Sequence, residues 1–162
     1  MARRALRSTG AGTVEIMLVT NHVLSGAVIG AATRRPVRAF VLGVASHFVL
    51  DAAPHWQTWT GRRFMHVAVP DGLAGLAVMG IMTSLAPRDA RVAVLAGMAG
   101  AALPDLDKPS KVFFGRSPCP RIVDYIHAKV QDEAPHRFPY EVATAAVCAA
   151  VAVGLLRGPR KG

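Results

Sequence analysis

Five apolar runs, separated by basic residues and prolines, constrain the fold of this chain more than any other feature. They cover residues 14–33, 37–53, 66–86, 90–103 and 140–156. These lengths favour helices over strands, and strand-like alternation is hard to find along the chain. We therefore predict an all-α fold, a polytopic membrane helix bundle of about four to five helices plus a short amphipathic helix.

Prolines mark where the helices end, because proline disfavours helix at the residue before it. Pro36, Pro54, Pro87 and Pro104 each separate or close a run. A full membrane span needs about 20 residues, which the third run supplies. The fourth run is clearly short, so it predicts either a span that thins the bilayer or a buried or half-inserted helix.

The last two runs are separated by a long polar stretch, residues 105–138. Within it, the apolar residues Ile122, Val123, Ile126 and Val130 recur at helical spacing. This spacing predicts a short amphipathic helix that lies on the membrane surface or across the mouth of the bundle.

Residues 17–162 are expected to form one helical membrane domain, preceded by a basic tail at residues 1–16. The tail resembles the start of a signal peptide but lacks a convincing cleavage site. Alternatively, Met17 is the true start and the tail is not native. In that case Thr20 or Asn21 would cap a helix that begins at His22.

The net charge of +9 lies mostly in the breaks between the apolar runs. Apolar segments bracketed by Lys and Arg are typical of membrane helices near anionic headgroups. We therefore expect membrane lipids as partners and a multi-pass location in the inner (plasma) membrane. No nucleic-acid recognition motif is found, so nucleic acid is not an expected partner.

With two cysteines, neither a disulfide framework nor a cysteine zinc site is expected. The oligomeric state stays open.

Ionisable residues inside the second run indicate a partner or a task, because such groups are expensive in an apolar setting. His47, Asp51 and His55 are spaced four residues apart, which places them on one helical face if the helix continues past Pro54. The plain alternative is a structural pair of His47 and Asp51 that locks two helices together.

The hairpin formed by the first two helices brings two histidines to one level. His22 lies 13 residues before Arg35 and His47 lies 12 residues after it. At about 1.5 Å per residue, both reach nearly the same height in the bundle. The third helix starts and the fourth ends at that side, which brings further ionisable residues to it: Asp71, Asp105, Asp107, His55, His66, His127 and His136.

Imidazole nitrogens together with carboxylate oxygens suit a divalent metal, and we expect zinc or manganese. The expected ligands are His22, His47, Asp51, His55, Asp105 and Asp107. Asp71 is the expected general base, although a helix cap would explain it equally. A solvated turn would explain Asp105 and Asp107, and Glu141 is read only as a favourable residue near a helix start.

Three segments resemble a bacterial family described as predicted membrane-bound metal-dependent hydrolases, or a sister family. They are residues 21–27 (NHVLSGA), 46–51 (SHFVLD) and 103–110 (LPDLDKPS). In that family the LPD turn precedes the His-Leu-Asp helix, whereas here it follows. The family's HR-G-x-TH segment is reduced here to residues 136–138. The resemblance implies a hydrolase whose metal site comprises five residues, His22, His47, Asp51, Asp105 and Asp107.

Three functions are consistent with these patterns. The first is a metal-dependent hydrolase at the membrane. The second is a membrane protein without enzymatic activity, such as a metal or proton handler or a scaffold. The third is a soluble α-helical domain similar to zinc phosphoesterases.

Overall fold

The structure, a computed structural model, describes residues 18–56, 65–130 and 132–158. Its helices are α1 (Val19–Thr33), α2 (Pro36–Asp51), α3 (Met65–Leu85), α4 (Arg91–Ala102), α5 (Asp107–Phe114), α6 (Arg121–Val130) and α7 (Phe138–Arg157). Short 3-10 turns cover Leu103–Leu106 and Pro135–Arg137. The all-α prediction is confirmed, and the predicted basic tail lies outside the described residues.

One small sheet was not predicted from the sequence. Strand β1 (Pro54–Trp56) pairs in parallel with β2 (Asp132–Ala134). The pair connects the segment after α2 with the segment before α7, two regions that are far apart in the chain. Three-residue strands are too short to leave a periodic signal, which is why the sequence does not show them.

Helix α1 lies at the centre of the bundle and contacts α2, α3, α4 and α7. Helix α4 packs most extensively, against both α1 and α2. Its glycines allow this approach, because a Cβ on Gly97 would overlap the carbonyl oxygen of Gly26, and one on Gly100 would overlap that of Phe40. Helix α4 therefore buries one face against α1 and α2, while Val92 and Leu95 on its other face are 65% and 44% exposed.

The sequence predicts that the glycines of the apolar runs are packing residues, because small residues let helices approach closely. This prediction covers Gly26, Gly30, Gly43, Gly72, Gly75, Gly97 and Gly100, and it holds in one part of the bundle and fails in another. It is confirmed where helices meet backbone to backbone, at Gly26, Gly30, Gly43, Gly97 and Gly100. It is wrong for Gly72, where a Cβ would meet no atom within 4 Å. Gly75 is intermediate, since its nearest neighbour would be a Val19 methyl at 3.3 Å. A glycine in an apolar run does not by itself reveal which face of the helix is covered.

Small residues fill the core, and large apolar residues lie on the outside. Most of the buried apolar residues are alanines, while Val37, Val49 and Leu76 are 79%, 70% and 65% exposed. Helix α3 and the segment Pro135–Arg157 are each long and apolar enough to cross a membrane.

The start of α1 differs from the prediction, and the difference has a clear physical cause. The helix begins at Val19, so neither Thr20 nor Asn21 is its cap. The capping carboxylate comes from Asp71 on α3, which accepts hydrogen bonds from the Val19 amide at 2.6 Å and the Thr20 hydroxyl at 2.6 Å. A cap supplied by another helix cannot be read from residues next to the helix start.

The polar stretch after α4 forms two helices instead of the one predicted. Helix α6 confirms the amphipathic prediction, with Ile122 and Ile126 exposed on its apolar face. Helix α5 was not predicted. Lys111 connects the two helices, with its Nζ 2.7 Å from an Asp107 oxygen and 3.7 Å from an Asp124 oxygen.

Candidate metal centre

Two buried histidine rings form the centre of the site. His22 lies in the first turn of α1 and His47 near the end of α2, and both side chains are fully buried. Their ring centroids are 3.9 Å apart and the rings are stacked with an interplanar angle of 25°. The prediction that the helical hairpin brings them to one level is confirmed.

Asp51 bridges the two rings from the last residue of α2. One carboxylate oxygen lies 3.3 Å from His22 Nε2 and the other lies 3.2 Å from His47 Nε2. The four-residue spacing of His47 and Asp51 places both on one face of α2, as predicted. Both imidazoles thus face a single buried carboxylate.

Asp105 adds a second carboxylate from the 3-10 turn that follows α4. Its oxygens lie 3.9 Å from His22 Nε2 and 4.0 Å from His47 Nε2. Lys108 lies one turn later, with its Nζ 3.0 Å from Asp105. Burial raises the pKa of Asp105, but Lys108 and the two histidines outweigh burial and hold that pKa below its usual range.

The hydrogen bond of His47 determines which of its ring nitrogens is available to a ligand. Nδ1 lies 2.7 Å from the carbonyl oxygen of Ala101, and because a carbonyl only accepts, Nδ1 carries the proton. In a neutral ring, Nε2 then presents a lone pair toward Asp51. Two groups rich in electrons at this distance require a positive charge between them, either a proton or a metal ion.

The donor geometry fits a divalent metal. Ligand atoms of His22, His47 and Asp105 all lie within 4.8 Å of one another. Ligands about 2.1 Å from a tetrahedral zinc stand about 3.4 Å apart, so the distances here need only small adjustments. His22 Nδ1 is buried without a hydrogen-bond partner among the described residues, and Nε2 has the Asp51 oxygen at 3.3 Å as its polar neighbour. A metal ion would satisfy such a nitrogen.

The other predicted ligands lie outside the three-residue group, including Asp51, although its oxygens lie 3.2 Å and 3.3 Å from the two imidazoles. His55 is fully buried on β1, with its Nδ1 2.9 Å from the Ala53 carbonyl oxygen. Asp107 begins α5 and forms an ion pair with Lys111 at 2.7 Å. Asp71 caps α1. Their roles as ligands and as general base stay predictions. Of the remaining histidines, His66 and His136 are exposed.

A second buried polar network was missed in the sequence. Glu141 on α7 accepts a hydrogen bond from the Asn21 side chain and another from the Trp56 amide, the latter at 3.0 Å. Asn21 precedes His22, so this network holds α1 next to the metal cluster. Its signal was present, since Asn21 and Glu141 are polar residues inside apolar runs, but only the fold shows that they meet.

A cavity of about 380 Å³ adjoins the cluster between α1, α3 and the start of α5. Asp71, Asp105 and Lys108 are the charged residues among its described lining, which is otherwise apolar. Asp105 thus faces both the imidazoles and this cavity. The volume lies within the range of about 300–1,000 Å³ that is typical of small-molecule sites.

Comparison of the chain with protein-family models, with curated proteins and with solved structures found no match.

Proposed function

We propose that this chain is a multi-pass membrane protein that acts as a metal-dependent hydrolase. The observation that carries the proposal is the convergence of two buried imidazole nitrogens and two buried carboxylates next to a cavity. Buried ionisable groups gathered in this way in a cleft usually have a function.

The membrane location is supported by the distribution of apolar side chains. Large apolar residues lie exposed along α2, α3, α4 and α7 while glycine and alanine fill the interior. Helix packing through small residues with larger ones facing lipid is typical of membrane bundles. Fractionation of cells tests this point: the protein should require detergent for release. Release by high salt alone would favour the soluble phosphoesterase-like alternative.

Four residues would hold the metal: His22, His47, Asp51 and Asp105. A divalent metal bound there would acidify water and polarise the bond to be cleaved. Lys108 holds the Asp105 carboxylate in place through its 3.0 Å ion pair. Asp71 lines the same cavity as Asp105 and is the proposed acceptor of the proton from water. In the overall reaction, the water oxygen bonds to the ester centre and the leaving oxygen departs with a proton.

The test is metal analysis of protein purified in detergent, with His47→Ala compared with His66→Ala. His66 is exposed, so it is a matched control for loss of an imidazole. We expect stoichiometric metal in the wild type and in His66→Ala, and at least a tenfold loss in His47→Ala. A folded wild-type protein that binds no divalent metal would contradict the proposal.

The role of Asp71 is tested by Asp71→Asn. Asparagine also accepts hydrogen bonds at a helix start, so α1 should remain capped. We expect hydrolysis to fall about a hundredfold or more, in line with the loss of a general base, while metal content is unchanged. Equal activity in the variant would restrict Asp71 to capping.

A second candidate is a proton or metal handler without hydrolytic activity. It is favoured by one observation, that each His Nε2 faces an oxygen of the same carboxylate, an arrangement that also suits a shared proton. Metal-dependent or proton flux in liposomes, with no hydrolysis of a panel of phosphoesters and carboxylic esters, would support this candidate over the first.

A further inference from the structure

The cavity next to the metal cluster has two chemically different ends. Near the cluster it is lined by Asp105, Lys108 and Asp71, and farther along α3 by apolar side chains such as Leu76 and Met79. A site that binds a small polar substrate has no use for a long apolar extension. Such a combination matches a molecule that has a polar group at one end and an apolar chain at the other.

The length of the apolar part can be read from α3. Asp71 and Met79 both line the cavity and lie eight residues apart on the same helix. At about 1.5 Å per residue, this separation corresponds to roughly 12 Å. The cavity therefore extends well beyond the reach of a headgroup bound at Asp105.

The charges at the polar end select the sign of the headgroup. Among the described lining, Lys108 is positive while Asp105 and Asp71 are carboxyl groups, so the preference for an anion depends on the two positive charges that a divalent metal at the histidines would add. With that metal bound, an anionic oxygen, such as that of a phosphoester, would be favoured over a cationic headgroup.

The outer wall of the cavity faces the proposed bilayer. Helix α3 is apolar enough to span a membrane, and its side chains Leu73 and Leu76 are 63% and 65% exposed while also lining the cavity. Residues that border both the cavity and the outer surface of α3 mark a side entrance at the level of lipid chains.

We propose that the substrate is a membrane lipid with an anionic phosphoester headgroup, whose chain occupies the cavity between α1 and α3. The inference rests on the proposed hydrolase function and specifies its substrate class. Hydrolysis would add water across the phosphoester bond, with the oxygen of water bonding to phosphorus and the leaving oxygen taking a proton.

Gly72 provides the means to fill the cavity. It lines the cavity, and a Cβ placed there would meet no atom within 4 Å, so Gly72→Leu should be accommodated. Gly80→Leu is the matched control, since Gly80 lies on the same helix, also has open space around it and does not line this cavity. Should Gly72→Leu fail to fold, Ala68→Phe fills the same cavity.

Binding is measured by quenching of Trp56, which lines the cavity. The chain has two tryptophans, so Trp59→Phe leaves Trp56 as the only one. The probe is dodecyl phosphate with a brominated chain, added to protein in phosphatidylcholine nanodiscs. Unlabelled dodecyl phosphate, butyl phosphate and dodecyl trimethylammonium serve as competitors.

We expect saturable quenching that dodecyl phosphate reverses and the other two competitors do not. Each methylene buried strengthens binding about fourfold, so the loss from dodecyl to butyl should be large. Gly72→Leu should weaken binding of the probe at least tenfold, and Gly80→Leu should leave its affinity unchanged. Equal quenching in Gly72→Leu and the control, or equal competition by the cationic detergent, would overturn the inference.

The Trp56 quenching measurement is repeated on metal-free protein and on His47→Ala. Binding of the alkyl chain can therefore be assessed even if the metal proposal fails. A wild-type protein that binds no divalent metal but shows Gly72-sensitive quenching would contradict the hydrolase function and support the lipid site. If hydrolysis depends on metal but its rate is the same in Gly72→Leu and with short alkyl chains on the phosphoester, the hydrolase function would be supported and the lipid substrate contradicted.

Discussion

Helices α4 and α3 both pack against α1, but they do so in opposite ways. Helix α4 meets α1 backbone to backbone, where a Cβ on Gly97 would overlap the Gly26 carbonyl. Helix α3 leaves a cavity of about 380 Å³ beside α1 and is attached near its polar end through Asp71. Close packing positions the donor groups of the metal centre, and loose packing leaves room next to them.

The difference follows from what each interface has to do. Under the proposed function, metal ligands would have to be held to within about 0.5 Å, so α1, α2 and the turn after α4 would need a rigid support. The proposed substrate would have to enter and leave, which would require an interface without close backbone contact. The two interfaces of α1 are thus suited to two different tasks, and each can be altered separately.

The largest effect is expected from Gly97→Ala, which forces apart the tight interface. The added Cβ would overlap the Gly26 carbonyl and lie 3.2 Å from the Gly30 amide. We expect the free energy of unfolding to fall by about 3 kcal/mol, at the upper end of what overpacking usually costs, because backbone atoms cannot move aside. Thermal unfolding in detergent measures it. Gly80→Ala, in open space, should instead stabilise the protein by up to about 1 kcal/mol. Similar unfolding temperatures for both variants would contradict the view that α4 packs more closely than α3.

The next effect concerns α7, which is attached to α1 through a buried network. Glu141→Ala removes the acceptor of the Asn21 side chain and of the Trp56 amide. Asn21 Nδ2 keeps its 3.2 Å hydrogen bond to the Glu141 backbone carbonyl, so the Trp56 amide is the donor left unsatisfied. At about 1–3 kcal/mol for such a donor, we expect the free energy of unfolding to fall by roughly 2 kcal/mol. Glu141→Gln keeps one carbonyl acceptor and should cost less. The comparison is made by unfolding in detergent, and an unchanged unfolding temperature in Glu141→Ala would contradict a stabilising role for this network.

A smaller effect is expected where α3 is attached to α1. Asp71→Ala removes a cap that accepts hydrogen bonds from two α1 amides and the Thr20 hydroxyl. Loss of such a cap costs about 1 kcal/mol, and Asp71→Asn should recover most of it. Hydrogen exchange of the first α1 amides reports the change. Unaltered protection in Asp71→Ala would mean that α3 does not stabilise this helix end.

The smallest effect is expected at the opposite end of the bundle. Arg34 Nη1 and Asp89 Oδ2 lie 3.0 Å apart, but the Asp89 side chain is 59% exposed. Exposed pairs contribute only about 0–1 kcal/mol, and Asp89→Asn should change the unfolding temperature hardly at all. A loss comparable with that of Glu141→Ala would indicate a structural role that exposure does not suggest.

The part of the site that could be predicted depends on helix register alone. His47 and Asp51 share a face because they are four residues apart, and His22 meets His47 because the hairpin turn fixes their heights. Both inferences need only the helical rise per residue, which gives the heights, and the proline that marks the turn between the two helices. The five long helices were predictable for the same reason.

Contacts between helices that are distant in the chain were out of reach. The Asn21–Glu141 hydrogen bond joins residues 120 positions apart, and Asp71 caps a helix 52 positions earlier. The periodicity of each run says which residues are apolar, but in a bundle with apolar residues inside and outside it does not say which face is covered. For the same reason Gly72 could not be told apart from Gly97.

The order of the elements along the chain has a consequence for biogenesis. All four candidate metal donors lie on or before the turn at Leu103–Leu106, whereas α7, which packs beside α1, follows them in the chain. During synthesis these side chains therefore emerge before α7. The nascent chain would hold all four candidate donors before α7 can pack against α1.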